Sequence, residues 1–205
     1  VPIGAAVTDG YNAGHGLPFD SDGMKERYPG VFFSQFTGAE LVAEKWNLSR
    51  EDLDEFALES HQKAANATES KYFDREILPV EGKNAEGINE LVLADEGIRF
   101  DASLDKLAGL KPVTDGGVIT AGNASQITDG AAAVMICNDA GLKKIQSNPR
   151  AEIVSISVVG DDPVFMLTGP IPASKKALEA AGLSIDDMDL YLSLIHISEP
   201  TRLEL

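Results

Sequence analysis

The sequence predicts an α/β fold in which helices alternate with the strands of a largely buried sheet. Two observations carry this prediction. Runs of consecutive apolar residues at 131–137 and 151–159 have the composition of strands that are buried on both faces. A segment with helical character, 139–147, lies between these runs, and further helical segments lie on either side.

The first part of the chain is predicted to be a loop followed by a helix. Residues 9–30 are rich in Gly, Asp and Pro and lack periodicity, which indicates a loop. Leu41, Val42 and Trp46 fall on one face of a helix predicted over residues 38–46.

The strongest helix signal begins at Ser49, which is predicted to be an N-cap. Asp52 stands three positions later, where the acid of a capping box belongs. Charged residues occupy the face opposite the apolar stripe, so we expect this helix to pack against the rest of the protein. The stripe consists of Leu53, Phe56, Ala57, Ser60, Ala64 and Ala67.

Turn residues separate the remaining elements, which are shorter. Their types follow from apolar alternation and from helical spacing. In chain order they are strands at 76–80 and 90–93, a helical turn at 104–110, the strand at 131–137, the helix at 139–147, the strand at 151–159, a helix at 171–181 and a strand that starts within 188–191.

Charge and composition exclude several classes of protein. The chain has 33 acidic and 17 basic residues and a net charge of −16, which argues against nucleic acid or an anionic membrane as the main partner. No apolar run approaches the roughly 20 residues of a membrane span. A single cysteine excludes an internal disulfide and is compatible with a reducing cytosol. Because residues 1–4 show neither a signal sequence nor an initiator Met, we expect the chain to begin inside a longer protein.

Few residues are candidates for chemistry on sequence grounds alone. Cys137 lies in an apolar run without cationic neighbours, so we expect a buried structural cysteine. His61 is expected to be structural or exposed, and His15 has no second histidine at a metal-ligand spacing. In segment 121–125 small side chains allow a ligand to approach the backbone, while Asn123 can exchange hydrogen bonds with amides. A tight turn before a core strand explains the same segment, and both explanations stay open.

One long segment and several short ones form a recognisable series. Residues 118–134 read VITAGNASQITDGAAAV. In register around them lie FSQFTGAE at 33–40, LSREDLD at 48–54, SHQK at 60–63, DEGIR at 95–99, LAGLKP at 107–112 and TGPIPAS at 168–174. Together these segments resemble the thiolase family, the coenzyme-A-dependent acyltransferases that cleave or form 3-ketoacyl-CoA.

The resemblance extends over residues 1–191 and implies a thiolase-like α/β fold fragment. Residues 1–117 then correspond to the inserted loop domain that covers coenzyme A. Residues 118–146 correspond to the end of the N-terminal half, and residues 151–191 to the start of the C-terminal half. Residues 192–205 depart from the family and are similar to a translated sequencing adapter, so we expect an artefactual tail, with a divergent C-terminus as the alternative.

The resemblance also implies an activity, in which a cysteine thiolate attacks the 3-keto carbon and CoA then accepts the acyl group. Fatty-acid or steroid side-chain degradation is the implied setting. CoA is the implied substrate, without a covalently bound cofactor and without a metal. The family's catalytic cysteines and histidine match no position of this chain, so we expect the chain itself to be inactive. The alternatives are a non-catalytic thiolase-like carrier of CoA or lipid and an interaction module without a small ligand.

Five residues match family positions that bind CoA or substrate. By this likeness Arg99 lies against the nucleotide end of CoA, where a planar cation can stack on adenine or pair with phosphate. Ala121 and Ala124 line the pantetheine channel, Ser125 donates a hydrogen bond to the pantetheine arm, and Met166 lines the acyl pocket.

Some implications concern specificity and assembly. Ser34 and Gln35 stand where some biosynthetic members carry His-Met, and Thr114 stands near a position often occupied by Phe, so the resemblance implies a more open acyl pocket. It implies acyl-CoA and CoA as partners and a homodimer or homotetramer for the full-length parent. The implied location is the bacterial cytoplasm, or an organellar matrix in a eukaryote.

Overall fold

The computed structural model describes residues 10–16, 19–84, 86–126, 131, 133–146 and 148–191. Helices dominate the described residues, together with one small sheet. The elements are α1 (Asp22–Arg27), α2 (Gln35–Trp46), α3 (Arg50–Glu69), β1 (Val80–Lys83), β2 (Asn89–Val92), α4 (Leu104–Ala108), α5 (Asp139–Ile145), α6 (Pro170–Ala181) and a 3₁₀ helix (Ile185–Asp187). The predicted tail, residues 192–205, lies outside the described residues.

The predicted capping box at the start of α3 is confirmed. The Ser49 backbone N–H donates to Asp52 Oδ2 at 2.8 Å, and the Asp52 N–H donates to Ser49 Oγ at 3.1 Å. Hydrogen bonds from the Ser49 backbone and hydroxyl lower the pKa of the Asp52 carboxyl. These contacts satisfy two N–H groups that a helix start leaves without intrahelical partners.

The helix predictions at 38–46, 104–110, 139–147 and 171–181 are confirmed, with small shifts of the ends. Helix α2 begins three residues earlier than predicted because the Ser34 hydroxyl caps it, accepting from the Phe36 N–H at 3.2 Å. The prediction of an unbroken loop over 9–30 is wrong, because α1 forms inside it with Ser21 as N-cap.

The sheet is a two-stranded antiparallel hairpin in which Val80 pairs with Val92 and Lys83 pairs with Asn89. Strand β2 confirms the prediction at 90–93. The first strand begins later than the predicted 76–80, because the Glu76 N–H closes a turn onto Phe73 O at 2.9 Å and Pro79 has no N–H to donate.

The core of the described residues is small. Ala43 of α2, Leu107 of α4 and Ile119 are its buried apolar side chains, and Asp54 and Thr120 are buried beside them. Helix α4 packs against α3. The prediction that α3 packs against the rest of the protein is therefore confirmed, although its buried residue is Asp54 and not a member of the apolar stripe. The core lies where α2, α3 and α4 meet segment 118–120.

Three strand predictions are wrong for the described residues. No strand forms at the described residues within 131–137, 151–159 and 188–191. Val134 and Ile156 are 85% and 77% exposed. An apolar run forms a buried strand only when neighbouring strands satisfy its backbone and cover its faces. The described part of the chain places no strand beside these runs.

Two further expectations concern single features. Cys137 is exposed, so the prediction of a buried cysteine is wrong for the same reason: the apolar run around it has no cover. Among the described helices, none combines the length and the apolar character that a membrane crossing requires.

Candidate functional site

A cavity of about 270 Å³ lies beside the core, and four parts of the chain form its walls. Ligand pockets commonly measure about 300 to 1,000 Å³, so this cavity has the size for part of a nucleotide-sized ligand. The walls are His61 of α3, the stretch Arg99, Asp101, Ala102 and Ser103, the group Lys106, Leu107 and Leu110 in and after α4, and the group Ala121, Gly122, Ala124 and Gln126.

The structure brings together three of the five predicted site residues. Arg99, Ala121 and Ala124 all line the cavity. Ser125 is exposed and lies in the chain between two lining residues. Met166 is not among the residues that line the cavity.

Met166 lies in a different place, close to α2. Its backbone has a left-handed φ of 58°, and its N–H donates to the Asp162 carbonyl at 3.0 Å. The preceding residue, Phe165, presents its carbonyl to Gly38 of α2 so closely that a Cβ at Gly38 would stand 2.5 Å from the oxygen. Among the predicted site residues, Met166 therefore lies apart from the cavity, beside α2.

Glu40 of α2 binds the backbone just before the cavity wall. Its two carboxylate oxygens accept from the Val118 N–H at 3.1 and 3.0 Å, and Oε1 also accepts from the Ile119 N–H at 3.0 Å. Hydrogen bonds to a charged acceptor are stronger than neutral ones. This carboxylate therefore anchors the start of the segment that carries Ala121 and Ala124.

Asn123 holds the same segment from within. Its Oδ1 accepts from the Thr120 N–H at 2.8 Å, and its Nδ2 donates to the Val118 carbonyl at 3.0 Å and to Asp54 Oδ1 at 3.0 Å. The other Asp54 oxygen accepts from Arg50 Nε at 2.7 Å. The cavity wall is thus joined to α3 through a buried carboxylate.

Arg50 extends this network to α4. One guanidinium nitrogen donates to the Leu110 carbonyl at 3.3 Å, and another donates to the Leu107 carbonyl. Carbonyls at a helix end have no intrahelical partner, so a cation that binds them is well placed. A single polar network therefore connects α3, α4 and the cavity wall.

The cavity contains two cationic side chains in different states. Lys106 binds the Asp101 carboxylate and also donates to the Asp101 carbonyl at 2.8 Å. That contact lowers the pKa of the Asp101 carboxyl and neutralises the lysine locally. Within the described residues, no hydrogen bond or ion pair engages the Arg99 guanidinium. Arg99 is therefore the cation that this cavity can offer to an anionic ligand.

His61 supports Arg99 from α3. Its Nδ1 accepts from the Arg99 backbone N–H at 3.2 Å, which requires an unprotonated Nδ1. Partial burial, and secondly the charge of Arg99, lower the pKa of His61 below its ordinary 6.5. The neutral imidazole is thus the form that fits this site.

The unfolding free energy of the chain is expected to fall as the pH drops from the ordinary histidine pKa of 6.5 towards the lowered pKa of His61 in the folded chain, and to level off below it. The unfolded chain takes up the proton near the ordinary pKa of 6.5, before the folded chain does, so protonation favours unfolding. Urea unfolding measured between about pH 8 and about pH 5 checks this. His61→Asn keeps an acceptor without titrating, so its stability should fall less over this range. Equal pH dependence in both chains would contradict the prediction.

No group of three or more His, Cys, Asp or Glu side chains in the described part of the chain is arranged to hold a metal ion. The chemistry that these residues offer is hydrogen bonding and charge pairing around a cavity with small alanine and glycine walls.

Sequence reasoning missed the buried carboxylate at the centre of the network. Asp54 is 3% exposed, although the sequence pattern predicts that the charged residues of α3 lie on the face opposite its apolar stripe. The available signal was Arg50 four residues earlier, a spacing that places both groups on one helix face. Glu40 gave no comparable signal, because its partners are backbone amides far along the chain.

Family comparison agrees with the sequence motifs. Residues 19–140 match the model of the thiolase N-terminal domain, and residues 147–194 match that of the thiolase C-terminal domain. The chain belongs to the thiolase family.

Two bacterial relatives show the extent of the similarity. The steroid 3-ketoacyl-CoA thiolase FadA6 of Mycobacterium tuberculosis is 45% identical over 190 residues, which cover 92% of this chain and 45% of that protein. A 3-ketoacyl-CoA thiolase of Aliivibrio fischeri is 42% identical over 86% of this chain and 46% of its own length. The chain thus spans less than half the length of these relatives.

Solved structures give the same fold. An acetyl-CoA acetyltransferase of Bacillus anthracis superimposes with a TM-score of 0.73 at 40% identity, over 79% of this chain and 41% of that one. Human mitochondrial 3-ketoacyl-CoA thiolase superimposes with a TM-score of 0.70 at 42% identity, over 75% of this chain and 39% of that one. The predicted thiolase-like α/β fold fragment is therefore confirmed.

Proposed function

We propose that this chain is the coenzyme-A-binding part of a thiolase-type acyltransferase. The parent protein transfers an acyl group between 3-ketoacyl-CoA or acetyl-CoA and CoA, in the degradation of fatty acids or steroid side chains. Family membership supports the reaction class. The relative named for a steroid substrate, at 45% identity, supports the degradative setting.

The observation that carries the proposal is the cavity, whose walls combine small side chains with Arg99, a guanidinium that makes no hydrogen bond or ion pair with the described residues. Arg99 meets a phosphate or the adenine ring of CoA, since both suit a planar cation. Ala121, Ala124 and Ser125 leave room for the narrow pantetheine arm along the backbone. Met166, in its separate position near α2, faces the acyl group.

Arg99→Ala is expected to weaken CoA binding by about tenfold, the usual effect of losing one charge-assisted contact. Equilibrium dialysis of the 205-residue chain against labelled CoA measures it. Arg75→Ala is the matched control, because Arg75 is an exposed arginine outside this cavity.

Two results would refute this assignment. The unsubstituted chain could fail to bind CoA at all, or the Arg99→Ala variant could bind CoA as tightly as the Arg75→Ala variant does. Because the net charge of −16 repels an anionic ligand at long range, the comparison belongs at one fixed ionic strength.

The chain itself is expected to show no thiolysis of a 3-ketoacyl-CoA. Covalent acyl transfer needs an activated thiolate with a base nearby. The single cysteine, Cys137, is exposed and does not line the cavity. A coupled assay with acetoacetyl-CoA and CoA tests this, and turnover above the rate without protein would contradict it; Cys137→Ser then shows whether that turnover depends on the single cysteine.

Further features of the parent protein belong to the same proposal. Residues 1–117 form the loop domain over CoA, residues 118–146 end the N-terminal half, and residues 151–191 begin the C-terminal half. The parent is a homodimer or homotetramer that uses CoA as a substrate and holds no covalent cofactor. It works in the bacterial cytoplasm or in an organellar matrix.

A further inference from the structure

The wall of the cavity has little apolar contact to hold it in place. Ala121 and Ser125 are exposed. The close apolar approach occurs at Gly122, where a Cβ would stand 2.5 Å from methyl carbons of both Leu107 and Leu110. A short segment of small residues gains little from burial, so its backbone stays in one conformation only if hydrogen bonds fix it.

Hydrogen bonds do fix it, and one amide side chain makes several of them. Asn123 contacts the backbone at Val118 and Thr120, while the Thr120 hydroxyl accepts from the Gly122 N–H at 3.1 Å. The Asn123 side chain is itself held by Asp54, whose exposure is 3%. Asp54 fixes the orientation of the amide, because a carboxylate accepts only from the NH₂ end.

We propose that Asp54 and Asn123 are positioning residues of the coenzyme A site. Their hydrogen bond sets the conformation of segment 120–124 and thereby the places of Ala121 and Ala124 in the cavity wall. Neither residue lines the cavity, so both act on the ligand through the backbone. This inference rests on the proposed function, since it takes CoA as the ligand.

Exchanging the carboxylate and the amide between positions 54 and 123 tests the proposal while the side-chain volumes stay nearly constant. Asn123→Asp places two carboxylates where an amide now donates at 3.0 Å. Asp54→Asn gives a side chain with one acceptor oxygen where two donors, Arg50 Nε and Asn123 Nδ2, now meet the carboxylate. In the double variant the amide at position 54 accepts from Arg50 and donates to the carboxylate at position 123, so this pair is restored with its polarity reversed. The Val118 carbonyl stays without the donor that the Asn123 amide now supplies.

The experiment uses the 205-residue chain and two readouts. The first is the dissociation constant for CoA from equilibrium dialysis. The second is hydrogen exchange of the backbone amides in segment 118–126 without ligand. Each single variant is expected to weaken CoA binding about tenfold and to speed exchange in this segment. The double variant is expected to recover part of both losses, because the Val118 carbonyl still lacks its donor. Glu55→Gln, an exposed carboxylate beside Asp54 in α3, is expected to change neither readout.

Each outcome decides a different question. Recovery of both readouts in the double variant supports the proposal. It is overturned if the single variants lower the urea midpoint yet leave CoA affinity and exchange unchanged, because the pair is then only structural. If the unsubstituted chain does not bind CoA, the proposed function fails. The assignment of Asp54 and Asn123 to a CoA site then fails with it. The exchange data then still show whether the pair fixes the segment.

Discussion

Asp54→Ala is expected to lower the free energy of unfolding by about 3 kcal/mol, the largest effect of any single substitution considered for this chain. The carboxylate accepts from Arg50 Nε at 2.7 Å and from Asn123 Nδ2 at 3.0 Å while it is 3% exposed. Its removal leaves a guanidinium and an amide without their acceptor in a place that water reaches poorly. Urea unfolding followed by circular dichroism measures the change.

The matched control for this substitution is Glu55→Ala. Glu55 is the next residue of α3 and is exposed. Both substitutions remove a carboxylate and add the same helix-favouring alanine, so their difference isolates the buried contacts. A difference below about 1 kcal/mol would show that the network contributes no more than surface ion pairs do.

Gly38→Ala is expected to destabilise the chain by about 2 kcal/mol, although alanine is the better helix former. A Cβ at this position of α2 would stand 2.5 Å from the Phe165 carbonyl oxygen and 3.5 Å from Met166 Cβ. The obstacle is backbone, so relief requires the whole stretch around Phe165 to move away from α2. The measured quantity is again the free energy of unfolding in urea.

Gly23→Ala provides the comparison, because Gly23 lies in α1 and a Cβ there meets nothing within 4 Å. This variant gains the helix preference of alanine without a steric cost, so its stability should stay unchanged or rise slightly. If both variants are equally stable, Phe165 does not pack closely on α2, and the position of Met166 would need revision.

The local signals in the sequence were sufficient for α2 to α6 but not for α1, which forms inside a segment rich in Gly, Asp and Pro. Ser49 and Asp52 form the predicted capping box, and α3 packs against α4. Such signals act over a few residues, so they are present whatever the rest of the chain does. The start of the first hairpin strand was predicted too early for a local reason as well. The residues from position 76 alternate like a strand, but the first of them close a turn onto the Phe73 carbonyl.

The apolar runs failed as predictors because a strand depends on partners distant in sequence. Val134 and Ile156 have the right composition, but the described residues supply no neighbouring strand to pair with them or cover them. The cavity shows the same contrast between features that the sequence predicts and contacts that it does not. The resemblance placed Arg99, Ala121 and Ala124 in one binding site, and the structure brings them together around one cavity. The Asp54 to Asn123 contact joins residues 69 positions apart and left no pattern to detect.

The exposure of Cys137 has a practical consequence for optical spectroscopy. The chain has one cysteine and one tryptophan, Trp46 at the end of α2. No other cysteine or tryptophan therefore has to be replaced before labelling or fluorescence measurement. A thiol-reactive acceptor dye on Cys137 would receive energy from Trp46 alone. The native sequence therefore carries its own donor and attachment point for a distance measurement between the end of α2 and the residues just before α5.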